Sequence, residues 1–560
     1  MTIIILCALC VINQKIIPNK YYPLLIFSVS LSILLINLFL SGYVLGDDAQ
    51  LEYYVFRFNL DRGYWGVIGD LTPALRTTLD YNAMLSVTLL PSIYSVLMNI
   101  KTELLFKILY PLLFSLVPVT LYWIYKNETS KLIALLSTFF FIFTINAFFG
   151  ELIGLNRQIV AELFLMLSIL LWLNKTVPVG KKRLLLIIFG AGIAVSHYTI
   201  AIVYIMLISI IVIFSNIRPK FDDTFSASTV LSIAGFSFLW AAFSPGSTLT
   251  SFIDITGNAL NNLTHFGNSI SAPGNAGVMY GIPEVFSVAS WINLATSGLV
   301  TLSLVVGALA LILLPRRTEF SNKYRLIVLL ASLLFAFSLL FPTVAATLNF
   351  TRFYAICLLV LAPCITIGAL VLLNIVRFPL NKLRGIKSCL FTIKHGKAAI
   401  LLITILLCAY FLSQSGVANY VGGGTAHPQP IGYAQMQTSD VQMVTLQFYG
   451  NYIQVPDAYS GDWLAKYSAN SVVYGDLVSS FNSIISRGFV SKNLIFPLAN
   501  ITSPEQGSLI YLNSLNVEKG IITVQSSTVI NTTDLSPFLH DSDLIYTNGH
   551  SEVWRLNGPK

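Results

Sequence analysis

The run LLLIIFGAGIAVSHYTIAIVYIMLISIIVIFS at 184–215 is apolar almost without a break. A helix of that length would reach about 48 Å, well past the hydrocarbon layer of roughly 30 Å. It is interrupted by Gly190-Ala191-Gly192 and then by the polar trio Ser196-His197-Tyr198. The run therefore reads as two helices meeting at 196–198, a hairpin that crosses a membrane and returns. The same criterion of about 17–25 apolar residues per crossing marks spans near 22–43, 104–125, 131–149, 158–173, 227–243, 291–314, 326–343, 352–376 and 398–414. That makes eleven, and residues 1–13 are the candidate for a twelfth. The fold class expected is a polytopic α-helical membrane protein of about 11–13 spans.

Composition agrees. Of 560 residues 55% are hydrophobic and 10% charged, against roughly 25% charged in soluble proteins. Mean hydropathy is +0.75. A single buried core stops growing near about 250–300 residues, so a soluble globular enzyme is excluded. The net charge of +8 divides unevenly: residues 1–414 hold 27 basic and 15 acidic side chains, and residues 415–560 hold six and ten. A basic pI does not point to nucleic acid here, because the excess lies in short loops where it orients helices. Segments 174–183, 315–325 and 377–397 are the basic ones and are expected on the cytoplasmic side. Segments 44–80, 244–290 and 415–560 then face outward, provided that 81–98, with Pro91 at its middle, lies along the outer surface rather than crossing. The six cysteines add little; Cys7 and Cys10 have CxxC spacing inside an apolar stretch, and a metal would need two more ligands.

Residues 415–560 have the size of one soluble domain. After Gly422-Gly423-Gly424 they alternate helical patterns (Trp463 to Tyr467, Phe481 to Ser486) with strand patterns (Val472 to Tyr474, Ile521 to Val524). Leu544 to Tyr546 and Ser551 to Arg555 read as a hairpin through Asn548-Gly549. The expected division is a membrane domain over 1–414, with outward loops 44–103 and 244–290, and an outward α/β domain over 415–560.

Acidic residues are scarce, and six of the 25 (Asp47, Asp48, Glu52, Asp61, Asp70, Asp80) fall in one outward loop. In Gly46-Asp47-Asp48-Ala49-Gln50-Leu51-Glu52-Tyr53-Tyr54 two adjacent carboxylates are followed by a third. Such a group can hold a divalent cation such as magnesium or manganese through oxygen ligands. One of its carboxylates can instead take a proton from an attacking hydroxyl. A merely solvated acidic loop is the plainer alternative. Glu151, Asn156 and Arg157 lie in the next outward connection, and Glu162 sits inside the following span, where charge faces a cavity or a partner. His197, with Ser196 and Tyr198, is at the outer turn of the hairpin. It is suited either to a helix-to-helix hydrogen bond or to a phosphate or reacting hydroxyl. Arg352 opens a span, at the depth where a guanidinium snorkels or grips a lipid phosphate through two points. Loop charges alone put all these groups on one face. Anion binders and a base on one face suit a lipid-anchored phosphate substrate whose leaving group needs positive charge nearby.

With these residues in place the chain resembles the GT-C superfamily of membrane glycosyltransferases that use polyprenyl-phosphate sugars. The resemblance rests on layout and on short motifs: Gly46-Asp47-Asp48 with Glu52-Tyr53, Asn156-Arg157-Gln158, Ser196-His197-Tyr198, Gly461-Asp462-Trp463-Leu464 and Tyr474-Gly475-Asp476. It implies that Asp47 or Asp48 is the general base or a metal ligand, and that a polyprenyl-phosphate-linked sugar is the donor. The implied acceptor is a glycan, lipid or protein approaching from outside a plasma membrane. Arg157, His197 and Arg352 would hold the donor phosphate. The WWDxG motif of oligosaccharyltransferases is missing, which favours transfer of one sugar over transfer of a whole glycan. A transporter or flippase of lipid-linked saccharides is the rival, and it would want charges near the bilayer midplane and inverted repeats.

Overall fold

The computed structural model describes residues 17–66, 80–218, 221, 224–245, 249, 253, 257, 287–315, 318–340, 350–377, 396–422, 433–468, 471–490, 494–498, 505–524 and 528–557. Residues 1–13 with Cys7 and Cys10, most of loop 244–290 and of segment 377–397, and the Gly423-Gly424 part of the linker lie outside these. Eight helices among the described residues are long and apolar enough to cross a membrane: Asn19–Leu40, Thr102–Glu128, Asn156–Leu173, Tyr198–Ile217, Val288–Leu313, Asn322–Leu339, Arg352–Val376 and Lys397–Gln414. Two more expected spans are shorter apolar helices, Lys131–Phe143 and Ala227–Phe243. Another, Val179–Ser196, starts with Lys181, Lys182 and Arg183 in its first turns.

One expected span is corrected. The helix predicted over 131–149 stops at Phe143 and resumes as Ile145–Gly154. Thr144 between them donates its hydroxyl to the Phe140 carbonyl at 2.8 Å and accepts from the Tyr410 hydroxyl at 3.2 Å. Thr144 itself leaves the helical region, at ψ 72°. The connection expected at 150–157 is therefore mostly helical. The hairpin reading of 184–215 holds, with helices Val179–Ser196 and Tyr198–Ile217 meeting at His197.

Side-chain contacts sort the helix ends into two sets. At one end the Leu85 amide donates to the Val195 carbonyl at 2.8 Å, Trp240 donates to the Ala83 carbonyl at 3.1 Å, and Ser413 donates to Asn293 at 2.6 Å. At the other end Ser321 donates to Glu128 through its amide (2.6 Å) and hydroxyl (2.9 Å), and Arg183 donates to the Thr224 carbonyl at 2.9 Å. Each of these contacts joins segments that the loop charges put on the same side. Residues 81–98 stay at the first end: the helix there, Leu89–Met98, has ten residues, about 15 Å and too short to cross. Both flanks of that segment touch one helix, Asp47–Arg62, Tyr81 through Asp48 (3.1 Å) and Thr102 through Tyr53 (2.8 Å).

The bundle is pinned around the helix Phe350–Arg377. Tyr125 and Tyr324 donate to the Leu359 and Val360 carbonyls at 2.6 and 2.7 Å, and Ser137 bonds Thr366 at 2.9 Å. Against Val288–Leu313 the two backbones touch directly. A methyl group at Gly307 would strike the Cys364 carbonyl, and one at Gly368 the Ser303 carbonyl. Small residues allow such close approach in a bilayer, where lipid gives helices no hydrophobic reason to associate.

The tail holds a five-stranded sheet built from β1 (Val473–Gly475), β2 (Ile495–Pro497), β3 (Leu509–Leu512), β6 (Ser542–Thr547) and β7 (Glu552–Leu556), in the order β2-β1-β3-β7-β6. A separate pair joins β4 (Ile521–Thr523) and β5 (Val529–Asn531). β1 runs parallel to β2 and β3, and β7 is antiparallel to β3 and β6, the expected hairpin. Alternation along β3 feeds two cores. Leu509 and Tyr511 pack with Leu464, Val473 and Ile484, while Ile510 and Leu512 pack with Ile522, Leu535 and Leu556. The residues predicted as a helix at 481–486 form a π-helical turn, Ser480–Ile485.

Candidate active site

The site is assembled on the helix Asp47–Arg62, which starts after Gly46 (φ +86°) and ends at Gly63 (φ +72°) in the left-handed region. Acidic residues in a first turn face the positive end of the helix dipole. The helix is two-sided. Tyr53 and Phe56 pack on Phe106 in the bundle, with ring centroids 5.3 and 5.2 Å away, and Tyr54 and Val55 pack on Ile485 and Phe489 of the tail. Asp48 and Glu52, one turn apart, share the edge between these contacts.

Glu52 is fully buried. It accepts from the Asn156 and Arg157 amides (3.0 and 3.3 Å) and from the Arg157 guanidinium at 2.7 Å. It thus caps the helix Asn156–Leu173 from a distance of a hundred residues, satisfying amides that a helix start leaves unpaired. Arg157 is buried too; it lies over the Tyr81 ring at 4.2 Å, its second nitrogen is 3.7 Å from Asp48, and its Nε has no hydrogen-bond partner among the described residues.

Asp48 is the partly open carboxylate, its side chain 27% exposed. Its Oδ2 accepts from Arg352 at 2.6 Å and its Oδ1 from the Tyr81 hydroxyl at 3.1 Å. Burial pushes the Tyr81 phenol above its ordinary range, so it serves as a donor. His197 is 4% exposed and caps Tyr198–Ile217, its Nδ1 accepting from the Ile200 amide at 3.4 Å. That role leaves the proton on Nε2 as a donor. Burial, then Arg157 and Arg352, push the imidazole well below its ordinary value, so His197 offers a hydrogen bond and no charge. The Tyr198 ring stacks on it at 5.4 Å and lines a largely apolar cavity of about 460 Å³ with Met84, Ile202 and Phe238.

The structure thus brings together Asp48, Glu52, Asn156, Arg157, His197, Tyr198 and Arg352 from four separate segments. The side chains of Asp47 and Glu151 lie outside the described residues. Glu162 pairs with Gln158 at 2.9 Å and stays apart from the cluster. Tyr81 was not among the sequence candidates; it stands 33 positions from Asp48 in a stretch with no motif, and only the doubling back of 81–98 brings it in. Among the described residues no group of three or more His, Cys, Asp and Glu side chains stands ready for a metal. The two described carboxylates do not fit one, since Glu52 is spent on Arg157 and two amides and Asp48 faces Arg352.

The tail motifs have other duties. Arg487 donates one Nη2 to both Asp462 oxygens (3.0 and 3.1 Å), its Nη1 reaches Glu103 in the bundle at 3.2 Å, and it lies over the Tyr43 ring. Asp476 is 1% exposed and accepts from the Ser479 and Thr523 amides, the Asn513 and Asn516 side chains and the Thr523 hydroxyl at 2.8–3.4 Å.

A family model described as a predicted membrane protein, DUF2206, matches residues 182–554. No curated protein matches. Among solved structures, ArnT from Cupriavidus metallidurans bound to undecaprenyl phosphate superposes with a TM-score of 0.51 at 10% identity, covering 98% of this chain and 100% of ArnT. The arabinofuranosyltransferase AftD from Mycobacteria gives 0.48 at 10% identity over 95% of this chain and 40% of its own. The Archaeoglobus fulgidus oligosaccharyltransferase gives 0.44 at 12% identity over 89% and 70%. The whole-chain superposition on ArnT shows that the two chains share a fold.

Proposed function

The chain belongs to the DUF2206 family of predicted membrane proteins, and we propose that it is a GT-C glycosyltransferase moving a sugar from a polyprenyl-phosphate donor to an acceptor hydroxyl. One observation carries this reading: a partly open carboxylate, Asp48, stands between two guanidinium groups at the mouth of a bundle whose fold is that of a protein solved with undecaprenyl phosphate. Asp48 would take the proton of the acceptor hydroxyl as its oxygen attacks the anomeric carbon. The bond from that carbon to the phosphate oxygen breaks, and the electron pair leaves with the phosphate. Arg352, with the neutral His197 as donor, stabilises the charge that develops there. Arg157 acts from one layer behind. The apolar cavity beside Tyr198 suits the first isoprene units of the donor.

Asp47 and Glu151 remain candidates for the same cleft. No step needs a divalent cation, because guanidinium charge faces the place where the phosphate would sit. The loop charges support an orientation with this face and the tail away from the cytoplasm, and the membrane we propose is the plasma membrane. In this reading residues 1–414 do the chemistry, and residues 415–560 with loop 244–290 choose among glycan, lipid and protein acceptors. The test is sugar transfer from polyprenyl-phosphate sugars by the purified chain in detergent, with Asp48→Asn and Asp47→Asn compared separately. Full transfer by both variants would sink the assignment of the base.

A further inference from the structure

Among the described residues, the hydrogen-bond partner of the Arg352 guanidinium is Asp48. The group that would hold the donor phosphate is therefore already engaged by the group that would act as base. Neither is ready: Arg352 has given its Nη2 to a carboxylate, and both Asp48 oxygens are accepting hydrogen bonds. The neighbouring pair differs. Glu52 and Arg157 are buried, 0% and 4% exposed at the side chain, and tied by backbone amides, whereas Asp48 and Arg352 are 27% and 32% exposed. One pair is a fixed strut and the other can part.

We propose that donor phosphate and Asp48 compete for Arg352, so that docking of the donor releases the base and the site arms itself only when loaded. This rests on the glycosyltransferase reading and adds an order of events to it: donor first, acceptor second. Two anions on one guanidinium repel each other in a partly desolvated site, so a phosphate that takes Arg352 leaves the carboxylate without it. Tyr81 on Oδ1 and Arg157 at 3.7 Å keep the freed Asp48 from swinging away. Without donor, the acceptor hydroxyl and water alike meet a carboxylate held by Arg352 on one oxygen and by Tyr81 on the other.

The experiment is binding of undecaprenyl phosphate, as the probe, to the full chain in lipid nanodiscs. Asp48→Asn removes the competitor, so affinity should rise about five- to tenfold while transfer is lost. Arg352→Gln should weaken binding, and the double variant should bind as Arg352→Gln does, since Asp48 then has nothing to release. Asp48→Ser is the second variant, and the melting temperature of each protein checks that the fold persists. Unchanged or weaker binding by both Asp48 variants, with Arg352→Gln still losing affinity, overturns the exchange and leaves the glycosyltransferase reading standing. Failure of the wild type to bind any polyprenyl phosphate removes both.

Discussion

Asp48 and Asp476 both lie just after a glycine, in Gly46-Asp47-Asp48 and Gly475-Asp476. Their surroundings are opposite. Asp476 sits in the tail at 1% exposure with five neutral donors around its two oxygens, and Asp48 faces a cleft with one guanidinium, one phenol and a second guanidinium in reserve. A carboxylate saturated by amides and hydroxyls is a fastener, because leaving buried donors unpaired is costly. A carboxylate held by a detachable cation at a partly open edge has chemistry left to do.

The comparison can be broken by substitution, starting with the largest effect. Asp48→Asn should lower transfer by about 10²–10⁴-fold, the usual span for a lost general base, with the melting temperature little changed. Asp476→Ala should do the reverse, costing about 3 kcal/mol or more of tail stability in denaturant titration and lowering transfer only through the folded fraction. Glu52→Gln tests whether a nearby carboxylate belongs with the fasteners: loss of the charge opposite buried Arg157 should cost about 3 kcal/mol, read as loss of fold rather than of kcat alone. Arg487→Ala should loosen the tail from the bundle by about 1 kcal/mol, seen as faster hydrogen exchange at 43–46 and 480–490.

A pH titration separates a third carboxylate. Asp457 is buried, accepts from the Ser514 amide and hydroxyl at 2.8 and 2.9 Å, and is pushed up to about 7, chiefly by burial. Its folded form holds a proton more tightly than the unfolded chain, so its stabilising contribution is complete below about 4 and is lost as pH rises through 7. Tail unfolding should accordingly become easier between those values, and Asp457→Asn should flatten the slope.

Much of the bundle was legible because lipid imposes length and apolarity on each crossing, and loop charges sort the ends. What escaped was a local break and long-range pairing. The helix over 131–149 breaks at Thr144 within an apolar stretch where no motif announces it. Asp48, Arg157, His197 and Arg352 could be assigned to one face from topology alone, yet which carboxylate meets which cation depends on how 81–98 doubles back, and so Tyr81 went unseen. Gly461-Asp462 and Tyr474-Gly475-Asp476, two of the motifs that carried the resemblance, tie the tail to the bundle and to itself.

The crossing of Gly307 and Gly368 bears on how the site can move. Gly368 lies 16 residues below Arg352 on one helix, a lever of about 24 Å, and its backbone is pressed onto a neighbouring backbone with no room for even a methyl group. That contact works like the foot of a mast. It resists sliding along the axis at that level, and Pro363, between it and Arg352, is where the upper part of the helix can bend. Exchange of partners at the membrane surface is then left to side chains, to the acidic helix and to that upper part, while the crossing beneath holds.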